Sequence, residues 1–209
     1  MSPKFGTSGL RGLVSDLNNE VVASYIQAFS EACPTGGTVH VGRDLRSSSP
    51  QIAQTVINTI QKVGLTAIDH GALPTPALAL ASITAGHSAI MVTGSHIPAD
   101  RNGLKFYVPN GEINKIDEMA IVEALKSPQS NSFQPGTYIE TSSALPAFIT
   151  RYINAFGTTS LHGQRIGIYE HSSVARDVMV DILTALGADT ISLARSDVFM
   201  PVDTEAVDP

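Results

Sequence analysis

Three stretches of the sequence bring together residues able to do chemistry. The longest is Thr93-Gly94-Ser95-His96-Ile97-Pro98-Ala99-Asp100-Arg101-Asn102-Gly103-Leu104-Lys105, which sets a hydroxyl beside an imidazole and ends on an amine. A serine with a proton acceptor nearby is the raw material of nucleophilic transfer. Adjacent loop residues seldom face each other, so a solvated polar loop is the alternative. The hydrolase elbow G-x-S-x-G is not met, because Thr93 and Ile97 stand where its glycines belong. The second stretch, Phe5-Gly6-Thr7-Ser8-Gly9-Leu10-Arg11-Gly12, spaces three glycines by three around one arginine. Glycines let backbone approach a ligand, and a guanidinium offers phosphate a planar fork. Neither G-x-G-x-x-G nor the P-loop pattern is present, and a glycine-rich turn with a surface arginine is the competing reading. In the third, Gly42-Arg43-Asp44-Leu45-Arg46-Ser47-Ser48-Ser49, an aspartate between two arginines favours a structural ion network. Arg46 and the serines would hold that loop or the next helix start.

The elements around these loops follow from periodicity. Val21, Val22, Tyr25, Ile26 and Phe29 share one face of a helix from Asn19 to Cys33, stopped by Pro34 and Gly36-Gly37. Thr38 to Val41 reads as a strand, and Pro50 opens a helix that Ser49 can cap. Leu65 to Ile68 is a second strand, and Thr75-Pro76 begins a short helix to about Thr84. Ala89 to Val92 is continuously apolar, hence a strand buried on both faces. Leu104 to Val108 and Ile116 to Leu125 supply a further strand and helix. Ser127 to Ser143, rich in Ser, Pro, Gln and Gly, reads as a linker. Beyond it come a helix at Leu145 to Phe156, a strand at Arg165 to Tyr169, a helix at Val174 to Leu186 and a strand at Thr190 to Leu193. Strands alternating with helices define an α/β protein with mainly parallel pairing. Lys105, at the start of its strand, is close enough in sequence to sit over the same pocket as the Ser95 loop.

Composition narrows the function classes. The 209 residues carry 13 Lys+Arg against 19 Asp+Glu, a net charge of −6, which argues against a nucleic-acid binder. With 43% hydrophobic and 15% charged residues the chain can bury a core. Its longest apolar runs are too short to span a membrane. The first residues lack a signal-peptide core, so a cytoplasmic location is expected. Cys33 stands alone, which excludes an internal disulfide. The histidines lack metal-ligand spacing, and His40 reads as a core or sheet residue.

Taken in order, the three motifs, with Asn102-Gly103-Leu104-Lys105 closing the last, resemble the α-D-phosphohexomutase superfamily, in its bacterial phosphomannomutase/phosphoglucomutase branch. Pro201 to Pro209 also looks like a piece of that family's second domain. The resemblance implies a three-layer αβα first domain over 1–130 with a mixed, mainly parallel sheet. Residues 131–209 would be a linker and an incomplete second α/β domain, cut before its metal-binding loop. Ser95 would be a phosphoserine and one Mg2+ ligand, the other ligands lying in that missing loop. The implied reaction interconverts hexose 6-phosphate and hexose 1-phosphate through a bound hexose 1,6-bisphosphate. Lys105 would aid proton transfer, Arg11 would steady the phosphate, and His96 would support the serine. Gly94 stands where the family usually has alanine, and Ile97 where it has asparagine. The 209 residues alone are expected to be inactive as a mutase. The rival classes are a non-catalytic module binding a phosphosugar or a protein and, more distantly, a serine hydrolase.

Overall fold

The structure is a computed structural model that describes residues 3–6, 9–126 and 134–200. Thr7 and Ser8, most of the Ser-rich linker with the expected 130/131 boundary, and the Pro201 to Pro209 tail lie outside those residues.

The N-terminal motif forms a hairpin, β1 (Lys4–Gly6) and β2 (Gly9–Leu13). Then follow α1 (Asn19–Ala32), β3 (Thr38–Arg43), α2 (Ser49–Lys62), β4 (Thr66–Ala72), α3 (Thr75–Ala85) and β5 (Ser88–Val92). Next come β6 (Arg101–Val108), β7 (Gly111–Glu112), α4 (Lys115–Ala124) and β8 (Tyr138–Glu140). The chain continues with α5 (Ala144–Phe156), β9 (Arg165–Tyr169), α6 (Arg176–Ala185) and β10 (Asp189–Leu193). The main sheet runs β1-β2-β6-β5-β3-β4-β8, with β7 also on β6. Strands β8, β4, β3, β5, β2 and β7 point one way and β6 and β1 the other, a mixed and mainly parallel sheet. β9 and β10 pair in parallel as a separate two-stranded sheet.

Alternation along the central strands builds two cores. Ile90, Val92 and Phe106 face α1, α2 and α4, where Phe29, Ile60 and Ile121 are fully buried. Ala89, Met91 and Tyr107 face the other way, onto Leu78 of α3, and behind it stand Phe148 of α5 and Ile182 of α6. This is a three-layer αβα arrangement. α3 is apolar nearly all round because sheet and α5 cover opposite sides of it. No helix among the described residues is long and apolar enough to cross a membrane.

Three local expectations change. Phe5-Gly6 and Gly9 to Gly12 are strand rather than loop, and Gly9 is required there because a Cβ would sit 2.4 Å from the Leu104 carbonyl oxygen. The segment read as a linker contributes β8, which extends the sheet past β4. Ser49 does not cap α2: its hydroxyl lies 2.5 Å from Asp44 Oδ1 and donates there instead.

His40 sits where β3 crosses the sheet, 5% exposed, with Nδ1 at 2.8 Å from His70 Nε2 and Nε2 at 3.2 Å from His87 Nδ1. Burial, helped by the charges of His70 and His87, pushes its imidazole down to about 4. In the unfolded chain it would take up a proton near about pH 6.5. The unfolded state therefore binds the extra proton first, and stability present above about pH 6.5 declines as the pH drops toward about 4. The expected loss is up to about 3 kcal/mol. Urea denaturation across this window checks it: His40→Gln should show a flatter decline than the parent chain.

Candidate functional site

Ser95 hangs from the carboxyl end of β5, where ligands collect in open α/β sheets. Thr93 N–H donates to the Gly103 carbonyl at 3.0 Å, which closes the base of the loop. Ser95 itself adopts φ 51°, a left-handed conformation that a non-glycine residue holds only where its surroundings impose it. Its N–H donates to Thr93 Oγ1 at 3.0 Å, and its side chain is left exposed. The Ser95 hydroxyl and His96 Nδ1 stand 3.4 Å apart, so the two neighbours do face each other, at a long distance.

The imposing surroundings are Arg46 and Asp44. Arg46 is 2% exposed, and its guanidinium donates to four carbonyls, three in the loop and one at the first residue of β6. Nη1 reaches Pro98 at 2.7 Å and Arg101 at 2.9 Å, while Nη2 reaches Ser95 at 2.9 Å and Ile97 at 2.5 Å. Asp44 Oδ2 lies 3.4 Å from Arg46 Nε and accepts from Thr93 Oγ1 and the Gly94 N–H. Asp44 Oδ1 accepts from the Arg46 N–H and from Ser49. Asn102 Nδ2 donates to Ser48 and Ser49 at 2.8 and 2.9 Å, and so ties the far end of the loop to the start of α2. Burial pushes the Arg46 guanidinium down from its ordinary range, and the Asp44 charge pushes back. The structural network expected around Arg46 is thus present, and its cargo is the Ser95 loop.

Gly94 makes room for this frame. A Cβ there would stand 2.4 Å from Arg46 Cζ and 2.5 Å from Nε. A methyl group cannot enter without displacing a guanidinium held by four carbonyls. Gly94→Ala, which restores the family's usual residue, is therefore expected to cost about 1–3 kcal/mol in this chain. Thermal unfolding checks it, and an unchanged melting temperature would show that Arg46 moves aside freely.

A cavity of about 360 Å³ opens in front of Ser95 and His96. Its opposite wall is His171, Ser172 and Val174, after β9, together with Phe199 and Met200. Ser172 accepts from the Met200 N–H at 3.0 Å, and the Phe199 ring lies 4.3 Å from Arg46 Cζ, in cation–π range. Sequence reading missed this wall. The approach to Pro201 reads as polar tail, and His171 lacks metal-ligand spacing, so nothing local marked either.

The remaining expected site residues are placed differently. Arg11 pairs with Gly103 across the sheet, and its Cγ would lie 3.2 Å from a Cβ at Gly103, as the Thr93 carbonyl oxygen would at 3.0 Å. Its charge is felt at Arg46. Lys105 shares that face of β6 by alternation but does not line the Ser95 cavity. Its ammonium is 3.0 Å from Glu112 Oε2 and 5.7 Å from the centre of the Tyr107 ring. Burial draws the Lys105 amine down, but Glu112 and Tyr107 together outweigh it and hold the amine above its usual value. The structure brings Ser95, His96 and Asp44 to one cavity, with Arg46 behind them and Arg11 at the loop base; Lys105 stays with Glu112.

The described residues do not by themselves fit a magnesium site. Ser95 offers one oxygen, both Asp44 oxygens are taken by donors, and no group of three or more His, Cys, Asp or Glu among them could hold a metal ion.

A mixed αβα sheet that delivers an exposed serine on an Arg–Asp frame defines an α/β protein with an open cavity beyond its strand ends. The chain belongs to the phosphoglucomutase/phosphomannomutase family: residues 2–132 match the model of its alpha/beta/alpha domain I. It is 46% identical over 220 residues to a phosphomannomutase of Sinorhizobium fredii, an alignment covering 99% of this chain and 46% of that protein. It is 47% identical over 208 residues to a phosphomannomutase of Salmonella muenchen, covering 97% and 43%. The chain thus spans about half the length of these curated relatives. Its fold is that of a phosphoglucomutase/phosphomannomutase family protein from Burkholderia thailandensis, with TM-score 0.73 and 22% identity over 88% of this chain and 42% of the other. It also matches a Paramecium phosphoglucomutase, parafusin, in its open form, with TM-score 0.64 and 17% identity over 94% and 45%.

Proposed function

We propose that this chain is the phosphoryl-carrying part of a phosphohexomutase acting on hexose phosphates, with the Ser95 hydroxyl as carrier. The observation that carries the reading is the loop itself. Its backbone is fixed by Arg46 and Asp44 and its Thr93 hydroxyl is held by Asp44, while Ser95 and His96 are the exposed loop side chains that line the cavity. Phosphoryl transfer passes through a loose transition state that needs positioning and charge neutralisation more than covalent help. A rigid loop on a buried guanidinium answers the first need and nearby cations the second.

In this scheme the Ser95 oxygen bonds to phosphorus as the bond from phosphorus to one oxygen of a hexose 1,6-bisphosphate breaks. His96 supports the hydroxyl as its proton leaves, and the released sugar oxygen gains a proton. Arg11 steadies the transferring group from the loop base. Lys105, kept charged by Glu112, is the proton donor to the leaving oxygen once a bound sugar draws it toward the cavity. The reverse transfer, onto the other end of a hexose monophosphate, completes the isomerisation. Magnesium at Ser95 requires carboxylates beyond those described, so no step is assigned to it.

We further propose a domain division near 130/131, with β8 reaching back onto the first domain's sheet and the later residues beginning a second α/β domain, and insufficiency of the 209 residues for turnover. A coupled mutase assay with hexose 1,6-bisphosphate and Mg2+ tests this. The expected rate for the chain alone is at background, against clear activity for a protein of the relatives' full length. Sustained turnover by the chain alone would overturn the insufficiency, and no activity in the full-length protein would overturn the mutase reading.

A further inference from the structure

On the opposite side of the sheet from α1 and α2, a second cavity of about 590 Å³ lies between α3, β8 and α5. It is larger than the one facing Ser95 and falls within the range typical of small-molecule sites, about 300–1,000 Å³. Its walls are mainly apolar: Leu80 and Ala81 from α3, Ile139 from β8, Ala144 and Ala147 from α5. His40 and His70 line it at the sheet. Their rings stack at 5.0 Å between centroids, and their facing nitrogens are joined at 2.8 Å. Burial pushes both imidazoles down, so near neutral pH they bring no formal charge to the cavity. Asp69, whose charge acts on His70, accepts from the Gly71 N–H and Tyr138 and does not line the space.

One lining residue is charged. Arg151, on α5, reaches the cavity and has no ion-pair partner among the described residues. In a chain of net charge −6, an uncommitted guanidinium beside an apolar hollow is an anion receptor with a greasy neighbour. A guanidinium binds a carboxylate through two parallel hydrogen bonds. Phosphate, a hydrated dianion, would find a single cation and walls that strip its water. We propose that this cavity binds a small monocarboxylate, its head on Arg151 and its apolar tail between α3 and α5. The site is independent of Ser95 and of the mutase reading.

Sodium hexanoate is the probe, followed by titration calorimetry and by the imidazole resonances of His40 and His70. Saturable binding that shifts both imidazoles is expected, with hexanamide weaker by about tenfold or more, because the charge-assisted pair is lost. Inorganic phosphate should leave the imidazoles unmoved. Arg151→Ala, an exposed position, should lose about tenfold in affinity with an unchanged melting temperature. Ala147→Leu, also exposed, should block the tail by filling the mouth, and Ser95→Ala should bind like the parent chain. The proposal is overturned by hexanoate failing to saturate below about 10 mM, by imidazoles that stay still, by equal binding of hexanamide or phosphate, or by full affinity in Arg151→Ala.

Discussion

Ser95→Ala is expected to abolish phosphate incorporation into this chain while leaving its melting temperature within about 1 °C of the parent. After incubation with glucose 1,6-bisphosphate, the parent should gain about 80 Da, one phosphoryl group, by intact mass. The variant should gain nothing. The stability half of the expectation follows from the geometry: the Ser95 side chain is exposed, and among the described residues its hydroxyl's hydrogen-bond neighbour is His96 at 3.4 Å. The loop is held through the Ser95 carbonyl and N–H, which alanine keeps. The left-handed φ of 51° is equally strained for serine and for alanine, which limits the extra cost. In a protein of the relatives' full length, turnover should fall by about a thousandfold or more, on the order of 4 kcal/mol of lost transition-state stabilisation. Equal mass gain in parent and variant would move the carrier elsewhere. Ser172 and Ser173, near the facing wall of the cavity, are then the next hydroxyls to replace.

How far the sequence announces this site depends on how local each signal is. Ala89 to Val92 reads as a strand buried on both faces because its apolar run is unbroken, and the structure places it centrally, between β3 and β6. Arg46 and Asp44 read as a structural network because their types and spacing allow little else that is buried, and they form one. The hairpin at Phe5 to Gly12 was hidden, since glycines that signal a turn are there for close backbone packing, Gly9 against Leu104 and Gly103 against Leu10. β8 was hidden for a different reason: three exposed residues at a sheet edge leave no alternation to detect. The far wall of the cavity depends wholly on tertiary placement. Phe199 is one aromatic residue in a polar stretch until it meets the Arg46 guanidinium.

That guanidinium is where the chain should be most fragile, and Arg46→Ala tests it. The substitution removes the donor to the carbonyls of Ser95, Ile97, Pro98 and Arg101 and leaves Asp44 without its cation. Breaking one side of a buried ion pair typically costs about 3–5 kcal/mol, since the abandoned charge stays desolvated. For a chain of this size that corresponds to a melting temperature lower by roughly 6–20 °C. Arg46→Lys separates charge from geometry, because an ammonium keeps the pairing with Asp44 but cannot span four carbonyls. It should recover part of the stability and little of the phosphate uptake at Ser95. If the frame only stabilised the fold, uptake measured well below the lowered melting point would be normal in both variants. If the frame positions the carrier, uptake falls in both, and falls further than the unfolded fraction accounts for. The second outcome is expected, because three of the four carbonyls lie in the loop that aims Ser95 and the fourth, of Arg101, is where that loop enters β6.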